Sequence, residues 1–317
     1  MEPIISVDNL VKRYKTSETN AVDGVSFTVA PGEFFALLGP NGAGKTTTIS
    51  VLTTTLLPTS GDVRIGGRDV VSEAAAVRSQ MGIIFQKPSL DLNLSAEENV
   101  RFHAVLYGLY PFRPTYSTMP QSYRDRVGEL ANVLGIEDEI FNKVKTFSGG
   151  MKRKLEIVRG LIHHPRVLFL DEPTTGLDPS SRRDLWQYLT VVRQTMGTTV
   201  FLTTHYLEEA EQADTVCVVN KGKVVALGTP AELTKTMVRE WITVDAEDRS
   251  MLRAELTRHG FAFEGEGPFI LSLDGRSAHA TIRAIETPLT TIEVHKPSIE
   301  DAYLAIVEQE RSKDEAA

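Results

Sequence analysis

The sequence predicts an α/β protein: a largely parallel sheet with covering helices, followed by a smaller α+β module. Three observations carry this expectation. Apolar strand candidates alternate with helix-period segments through roughly the first 235 residues. A glycine-rich loop joins one of those strands to a helix. Acidic residues gather at the end: residues 240–317 hold 8 basic and 16 acidic side chains against 26 and 26 before them. The whole net charge of -8 therefore sits in the last section, as a change of domain would produce.

In chain order, ISVDNLVKRY, GVSFTVA and GEFFALLG are β-rich runs, and the third leads into GPNGAGKTTT and a helix. MGIIFQ, RVLFLDEP, GTTVFLTTH and DTVCVVNKG read as further strands. Helix-period patterns over 94–107, 122–134, 149–163 and 180–196 supply the covering layers. Residues 108–121, GLYPFRPTYSTMPQ, bring three prolines and the aromatics Tyr110, Phe112 and Tyr116 just after Tyr107. This segment cannot continue the preceding helix and is expected to be an exposed insertion. Thr229-Pro230-Ala231-Glu232 predicts a capped helix start, and the first domain is placed at 1–238, ending in that helix. Beyond it, WITVDA, DRSMLRAELTRHG, FAFEGEGPFILSLD, SAHATIRAIE and TTIEVHKP give the order β-α-β-β-α-β. That order predicts a ferredoxin-like accessory domain over 239–317, closed by a helix from Ser298; the end, RSKDEAA, is expected to be disordered.

A chain of 317 residues, 41% apolar and 24% charged, has the length for about two folded domains. No run approaches the roughly 18 apolar residues of a spanning helix, and no basic flank leads into an apolar leader. Any membrane role is therefore expected through a partner. The acidic balance argues against nucleic acid. Cys217, in TVCVVN, is expected to be a buried small hydrophobe in a reducing compartment.

Three segments carry chemistry. Gly39-Pro40-Asn41-Gly42-Ala43-Gly44-Lys45-Thr46 fits G-x-x-x-x-G-K-[ST] between strand and helix. Its glycines let successive N–H groups face phosphate, Lys45 bridges phosphates, and Thr46 can ligate Mg²⁺. The buried strand Val167–Leu170 ends in Asp171 and Glu172; Asp171 would serve the Mg²⁺ shell and Glu172 would polarise an attacking water. Finally, Phe147-Ser148-Gly149-Gly150-Met151 opens a helix and offers a second anion-binding terminus.

In this order and spacing, the three segments resemble the ATP-binding subunit of ABC transporters over roughly residues 3–235. The resemblance implies a P-loop ABC ATPase with a RecA-like core, an antiparallel β subdomain and a helical subdomain at about 87–165. It casts GPNGAGKT, with Thr47, as the Walker A loop, Gln86 as the Q-loop residue beside Mg²⁺, FSGGM as the signature and VLFLDEP as Walker B. Asp178 in TTGLDP looks like the D-loop aspartate, His205 like the switch histidine that meets the γ-phosphate, and Tyr14 like the aromatic that stacks on adenine. Met151 stands where many members have glutamine, and Gly176 where serine or alanine is common, which is expected to loosen the D-loop. One phosphate loop and one signature per chain imply a dimer, homodimeric or heteromeric, with two ATPs between the chains. An integral membrane permease near Gln86 and a place on the cytoplasmic face of the membrane also follow. Ser298-Ile299-Glu300-Asp301-Ala302-Tyr303-Leu304 resembles the ending of ABC-2 type exporter ATPases, including the DrrA-like drug exporters. An importer ATPase and a soluble, non-transport ABC ATPase are the alternatives.

Other residues are read as structural. Ser298 with Asp301 makes a capping box, and Ala302 with Ile306 an apolar stripe. His163 and His164 are expected to be solvated loop residues, and Lys152-Arg153-Lys154 a solvated helix face.

Overall fold

The computed structural model describes residues 2–237, 241–273, 275–295, 298, 300, 301, 303 and 304. The chain divides into two compact units, Met1–Gly228 and Thr229–Ala317, a boundary ten residues before the division placed at 238. The reason is local. Thr229 and Glu232 cap each other, with Thr229 N donating to Glu232 Oε2 at 2.9 Å and Glu232 N to Thr229 Oγ1 at 3.1 Å. The helix that starts at Pro230 thus begins the second unit.

The first unit contains two sheets. β1 (Ile5–Lys12), β2 (Val22–Val29), β4 (Ser60–Ile65) and β5 (Arg68–Asp69) form an antiparallel sheet in the order β2-β1-β4-β5. The second sheet joins β3 (Phe34–Leu38), β6 (Met81–Ile84), β7 (Val167–Asp171), β8 (Thr199–Thr204), β9 (Thr215–Asn220) and β10 (Lys223–Gly228) in the order β10-β9-β3-β8-β7-β6. All its pairings are parallel except that of the edge strand β10 with β9. Every residue of β3, β7 and β8 is buried, as a sheet covered on both faces requires. Stacked rings of Phe27, Phe35 and Phe201, at 5.0 to 5.9 Å, knit the two sheets. Cys217, on β9, is fully buried and its thiol is pushed up to about 12 by that burial.

The helices are α1 (Lys45–Leu52), α2 (Ala74–Arg78), α3 (Ala96–Leu106), α4 (Gln121–Val133), α5 (Gly149–Leu161), α6 (Pro179–Met196) and α7 (Leu207–Ala210). The four long helices expected from periodicity are α3 to α6. β5, α2 and α7 are too brief for periodicity to announce them, and β4 (SGDVRI) buries only Val63 and Ile65, too few apolar positions to show an alternation.

Three expectations change. Residues 108–120 form no α-helix and leave Phe112 59% exposed, but Tyr110 and Tyr116 pack edge-on against the fully buried Tyr123. Arg101 also donates to Arg113 O at 2.9 Å, so the insertion is fastened to α3 and α4. His163 is half-buried, with Nε2 2.9 Å from Met81 O and its ring against Tyr107; only His164 is solvated. Arg153 is 4% exposed, so the basic run is not a solvated face. The α5 backbone puts position 153 inward, on the face it shares with the buried Glu156 and Ile157, and Glu156 balances its charge at 2.8 Å.

The second unit holds α8 (Pro230–Met237), β11 (Trp241–Ala246), α9 (Arg249–Arg258), β12 (Phe263–Glu264), β13 (Phe269–Ser272), α10 (Ala278–Arg283) and β14 (Leu289–His295). Its antiparallel sheet runs β12-β13-β11-β14, the arrangement of a split βαβ module. Ile242, Val244, Leu252, Leu256, Phe269 and Leu271 fill its core. The Ser298–Asp301 capping box is present, with Asp301 N donating to Ser298 Oγ at 3.3 Å. Ala302, Ile306 and the RSKDEAA end lie outside the described residues.

Candidate functional site

Parallel strands bring their carboxyl ends to one edge of a sheet, and in open α/β sheets ligands bind there. In the six-stranded sheet Leu38 of β3 pairs with Thr204 of β8, and Asp171 of β7 with Thr203 of β8. The segments leaving those strands therefore emerge side by side. β3 leads into Gly39–Gly44, β6 toward Gln86, β7 into Glu172, and β8 into His205.

The loop after β3 turns through Gly44, whose φ of +101° and whose approach to Ala21 O, 2.5 Å from a notional Cβ, exclude any other residue. Gly44 is also the N-cap of α1 and supplies no side-chain cap. The first-turn amides of α1 are therefore free for an anion. A cavity of ≈ 290 Å³ lies against them, lined by Ala21, Asn41, Gly42, Gly44, Lys45, Thr46, Thr47 and Glu172. Thr46 is exposed to it, whereas Ala43 faces the core and Gly39 lies under the loop. A shallower recess of ≈ 650 Å³ shares Ala21 and Gly42 and extends to Arg13, Ser17 and Lys221. Tyr14, 42% exposed, follows β1 rather than sitting in it, and its hydroxyl lies 3.2 Å from Thr47 Oγ1.

Glu172 is the centre of convergence. Lys45 Nζ stands 3.5 Å from its Oε1, Gln86 Nε2 donates to its Oε2 at 3.2 Å, and Thr175 Oγ1 lies 3.5 Å from Oε2. His205 Nδ1 is 3.3 Å from Oε1 yet has no hydrogen bond of good geometry, which leaves a buried polar atom with spare capacity beside the carboxylate. Glu172 also holds φ at +44°, costly for a side chain bearing a Cβ and the kind of strain that gathers at functional sites. Lys45 donates to Gly39 O at 2.7 Å and Pro40 O at 3.1 Å; burial holds its ammonium below the usual lysine range, against the pull of Glu172 and Asp171. Burial pushes the Asp171 carboxyl up, partly offset by Thr203 Oγ1, which donates to Asp171 Oδ1 at 2.6 Å. Thr203 goes unmarked by any sequence motif, although two threonines ending the apolar strand TVFLTT hint at polar work at that edge.

Among the described residues no cluster of three His, Cys, Asp or Glu side chains could enclose a metal alone. The candidate donors are instead the oxygens of Thr46, which lines the cavity, and of Gln86 and Asp171, which lie next to its lining residue Glu172. Such a set suits a small hard cation that completes its octahedron with phosphate and water, so the residues fit Mg²⁺ carried by a nucleotide.

The structure does not bring the FSGGM segment to this place. Ser148 caps α5, its Oγ accepting from Met151 N at 3.2 Å. Ser148 and Gly150 line a separate cavity with Met151, Arg153, Lys154, Leu177, Ser181, Asp184 and Leu185, while Gly149 is the first residue of α5. The two cavities share no lining residue. Asp178 caps α6, accepting from Ser180 N and Ser181 N at 3.0 Å and from both hydroxyls; those donors hold its carboxyl well below the usual carboxylate range. Gly176 has φ of +78°, so glycine permits a turn there that serine or alanine would strain.

The ABC transporter family profile matches residues 22–175. The daunorubicin/doxorubicin resistance ATP-binding protein DrrA of Streptomyces peucetius is 36% identical over 332 residues, covering 99% of this chain and 96% of the relative. The chain belongs to the ATP-binding subunits of ABC transporters. The Nod factor export ATP-binding protein I of Ralstonia nicotianae is 35% identical over 97% of this chain and 95% of its own length. Among solved structures, an ATP-binding subunit of an ABC transporter aligns with a TM-score of 0.63 at 30% identity over 74% of this chain and 92% of the other. A dimeric ATP-binding cassette in a post-hydrolysis state with ADP and Pi aligns with a TM-score of 0.62 at 26% identity, over 71% and 98%. As an ABC ATPase this chain binds and hydrolyses ATP, and cassettes of the family act as dimers with membrane permease components. Among the described residues no helix is long and apolar enough to cross a membrane.

Proposed function

We propose that this chain is the motor of an ABC-2 type exporter for a drug, lipid or other hydrophobic compound, hydrolysing Mg·ATP between two head-to-tail copies of itself at the cytoplasmic face of the membrane. The observation that carries the catalytic reading is the convergence of Lys45, Gln86 and His205 on Glu172 at one sheet edge. Export is supported by the full-length likeness to drug-resistance and Nod factor export subunits.

In this reading the α1 amides and Lys45 take the β- and γ-phosphates, the ammonium exchanging its loop carbonyls and Glu172 for phosphate oxygens. Thr46, Gln86 and Asp171 would hold Mg²⁺, which would neutralise charge building on the phosphates. Glu172 accepts the proton of the attacking water, and His205 orients that water against the γ-phosphate. Tyr14 offers an exposed ring for adenine. Ser148, Gly149, Gly150 and Asp178, which sit apart from Lys45 in their own chain, would complete the partner's site. This separation is what a nucleotide sandwiched between two chains requires. The permease docks near Gln86, on the helical subdomain that carries exposed Leu106 and Phe112.

The test is Glu172→Gln, followed by steady-state ATPase and nucleotide-binding measurements. ATP binding should persist while turnover nearly vanishes; near-wild-type turnover would remove Glu172 from this role.

A further inference from the structure

Arg153 stands two residues past Met151, in the second turn of the helix that FSGGM opens. Its guanidinium donates from Nη1 to Phe85 O at 2.8 Å and from Nη2 to Gln86 O at 3.2 Å. These are the carbonyls on either side of the Gln86 amide. Glu156 balances the charge through Oε2 at 2.8 Å and accepts from Ser89 N through Oε1 at 3.0 Å. Arg159 then donates to Ser89 O at 2.7 Å and to Ser89 Oγ at 2.6 Å. One face of α5 thus grips the 85–89 segment at both ends, and the Gln86 side chain reaches Glu172 at 3.2 Å.

Charge balance alone does not require this arrangement. A lysine at 153 could pair with Glu156, but a point charge cannot span two successive carbonyls as a planar fork does. The centre of the grip is dry, with Arg153 4% exposed and Glu156 fully buried, while the Gln86 and Ser89 ends lie at the surface. A displacement at the head of α5 is therefore passed to the Gln86 backbone rather than absorbed.

We propose that Arg153 is a positioning residue that couples the two ATP sites of the dimer. Nucleotide drawn against Ser148, Gly149 and Gly150 of one chain shifts α5 of that chain. Arg153 then carries the shift to Gln86, and so to Glu172, in the same chain's own site. This rests on the head-to-tail dimer proposed above. Coupling of this kind is reciprocal and appears as cooperativity in ATP.

Three full-length variants test it. Arg153→Lys keeps the buried charge pair but loses the fork, R153M/E156L replaces the pair as a unit, and Glu172→Gln allows ATP-driven dimerisation to be followed by light scattering. The wild type should hydrolyse ATP with a Hill coefficient approaching two. Both Arg153 variants should fall toward one, with kcat lower by on the order of five- to tenfold. ATP affinity of the dilute monomer should stay at the wild-type value, and Arg153→Lys should remain folded. An unchanged Hill coefficient in Arg153→Lys, a wild-type coefficient of one, or a parallel fall in monomer affinity would overturn the coupling. Loss of folded protein in both variants would also overturn it, by making Arg153 a core residue only. Failure of Glu172→Gln to dimerise with ATP would sink the dimer and the coupling with it; dimerisation beside unchanged cooperativity in Arg153→Lys would sink the coupling alone.

Discussion

Each unit of the chain buries glutamate, and Glu255 in the second does the opposite of Glu172 in the first. Glu255, on α9, is 5% exposed and accepts from Glu286 N at 2.6 Å, Thr287 N at 3.0 Å and the Thr287 hydroxyl. Its donors come from one short segment and two are backbone amides, so the carboxylate is saturated by groups that cannot leave. Glu172 is 8% exposed, but long or hinged side chains from separate loops surround it, and it faces a cavity. Lys45 and Gln86 can release it, and His205 Nδ1 has yet to find a partner. Burial of a charge thus marks no site by itself. What distinguishes the carboxylate proposed to act on water is movable partners and room beside it.

The largest expected effect breaks the comparison on the catalytic side. Glu172→Gln should lower kcat by roughly 10²- to 10⁴-fold with ATP binding retained, since an amide cannot take the water's proton. Lys45→Ala removes a charge-assisted contact to phosphate worth about 1.5–3 kcal/mol, or roughly ten- to a hundredfold in ATP affinity by equilibrium titration. Glu255→Ala probes the other side. It strands the buried Thr287 amide and hydroxyl and should cost the second unit about 1–3 kcal/mol in chemical denaturation, while the ATPase rate of the folded protein holds. A matching loss of turnover would join the two carboxylates functionally and erase the distinction drawn here.

The same carboxylate sharpens the comparison through pH. Burial pushes the Glu255 carboxyl up, but the Thr287 hydroxyl and the two amides outweigh it and hold it below its ordinary value. A depressed folded value means the stabilisation is fully present above the unfolded carboxylate pKa of about 4.3 and is lost as pH falls through the folded one. Acid unfolding of the second unit should therefore shift to higher pH in Glu255→Gln. The smallest effect is expected from removing the second unit altogether: a chain ending at Gly228, where the contact boundary falls, should fold and bind ATP with wild-type affinity. Insoluble protein would show that the two units share a core.

Much of the site was legible in the sequence because phosphate chemistry restricts residue types at fixed spacing. A loop that must turn its amides toward an anion needs Gly44 at φ +101°, and a strand that must end in two carboxylates announces itself as VLFLDE. Order along the chain likewise carried the β-α-β-β-α-β module, since β11, α9 and β14 are long enough to show their period and the glycines of FAFEGEGPFILSLD mark the hairpin between its short strands. Periodicity was blind where the deciding contact joins distant segments. Nothing in KRK distinguishes Arg153 from its neighbours until α5 turns it onto the carbonyls of Phe85 and Gln86. Likewise, nothing in LYPFRP separates Tyr110, folded against Tyr123, from Phe112, which stacks on Phe102 yet stays mostly exposed. Local sequence determined which groups can bind phosphate, because that chemistry is written within eight or nine residues. Only the tertiary structure decided that Lys45, Gln86, Glu172 and His205 meet while Ser148 stands apart, because strand order β9-β3-β8-β7-β6 and the register of Asp171 with Thr203 set those distances.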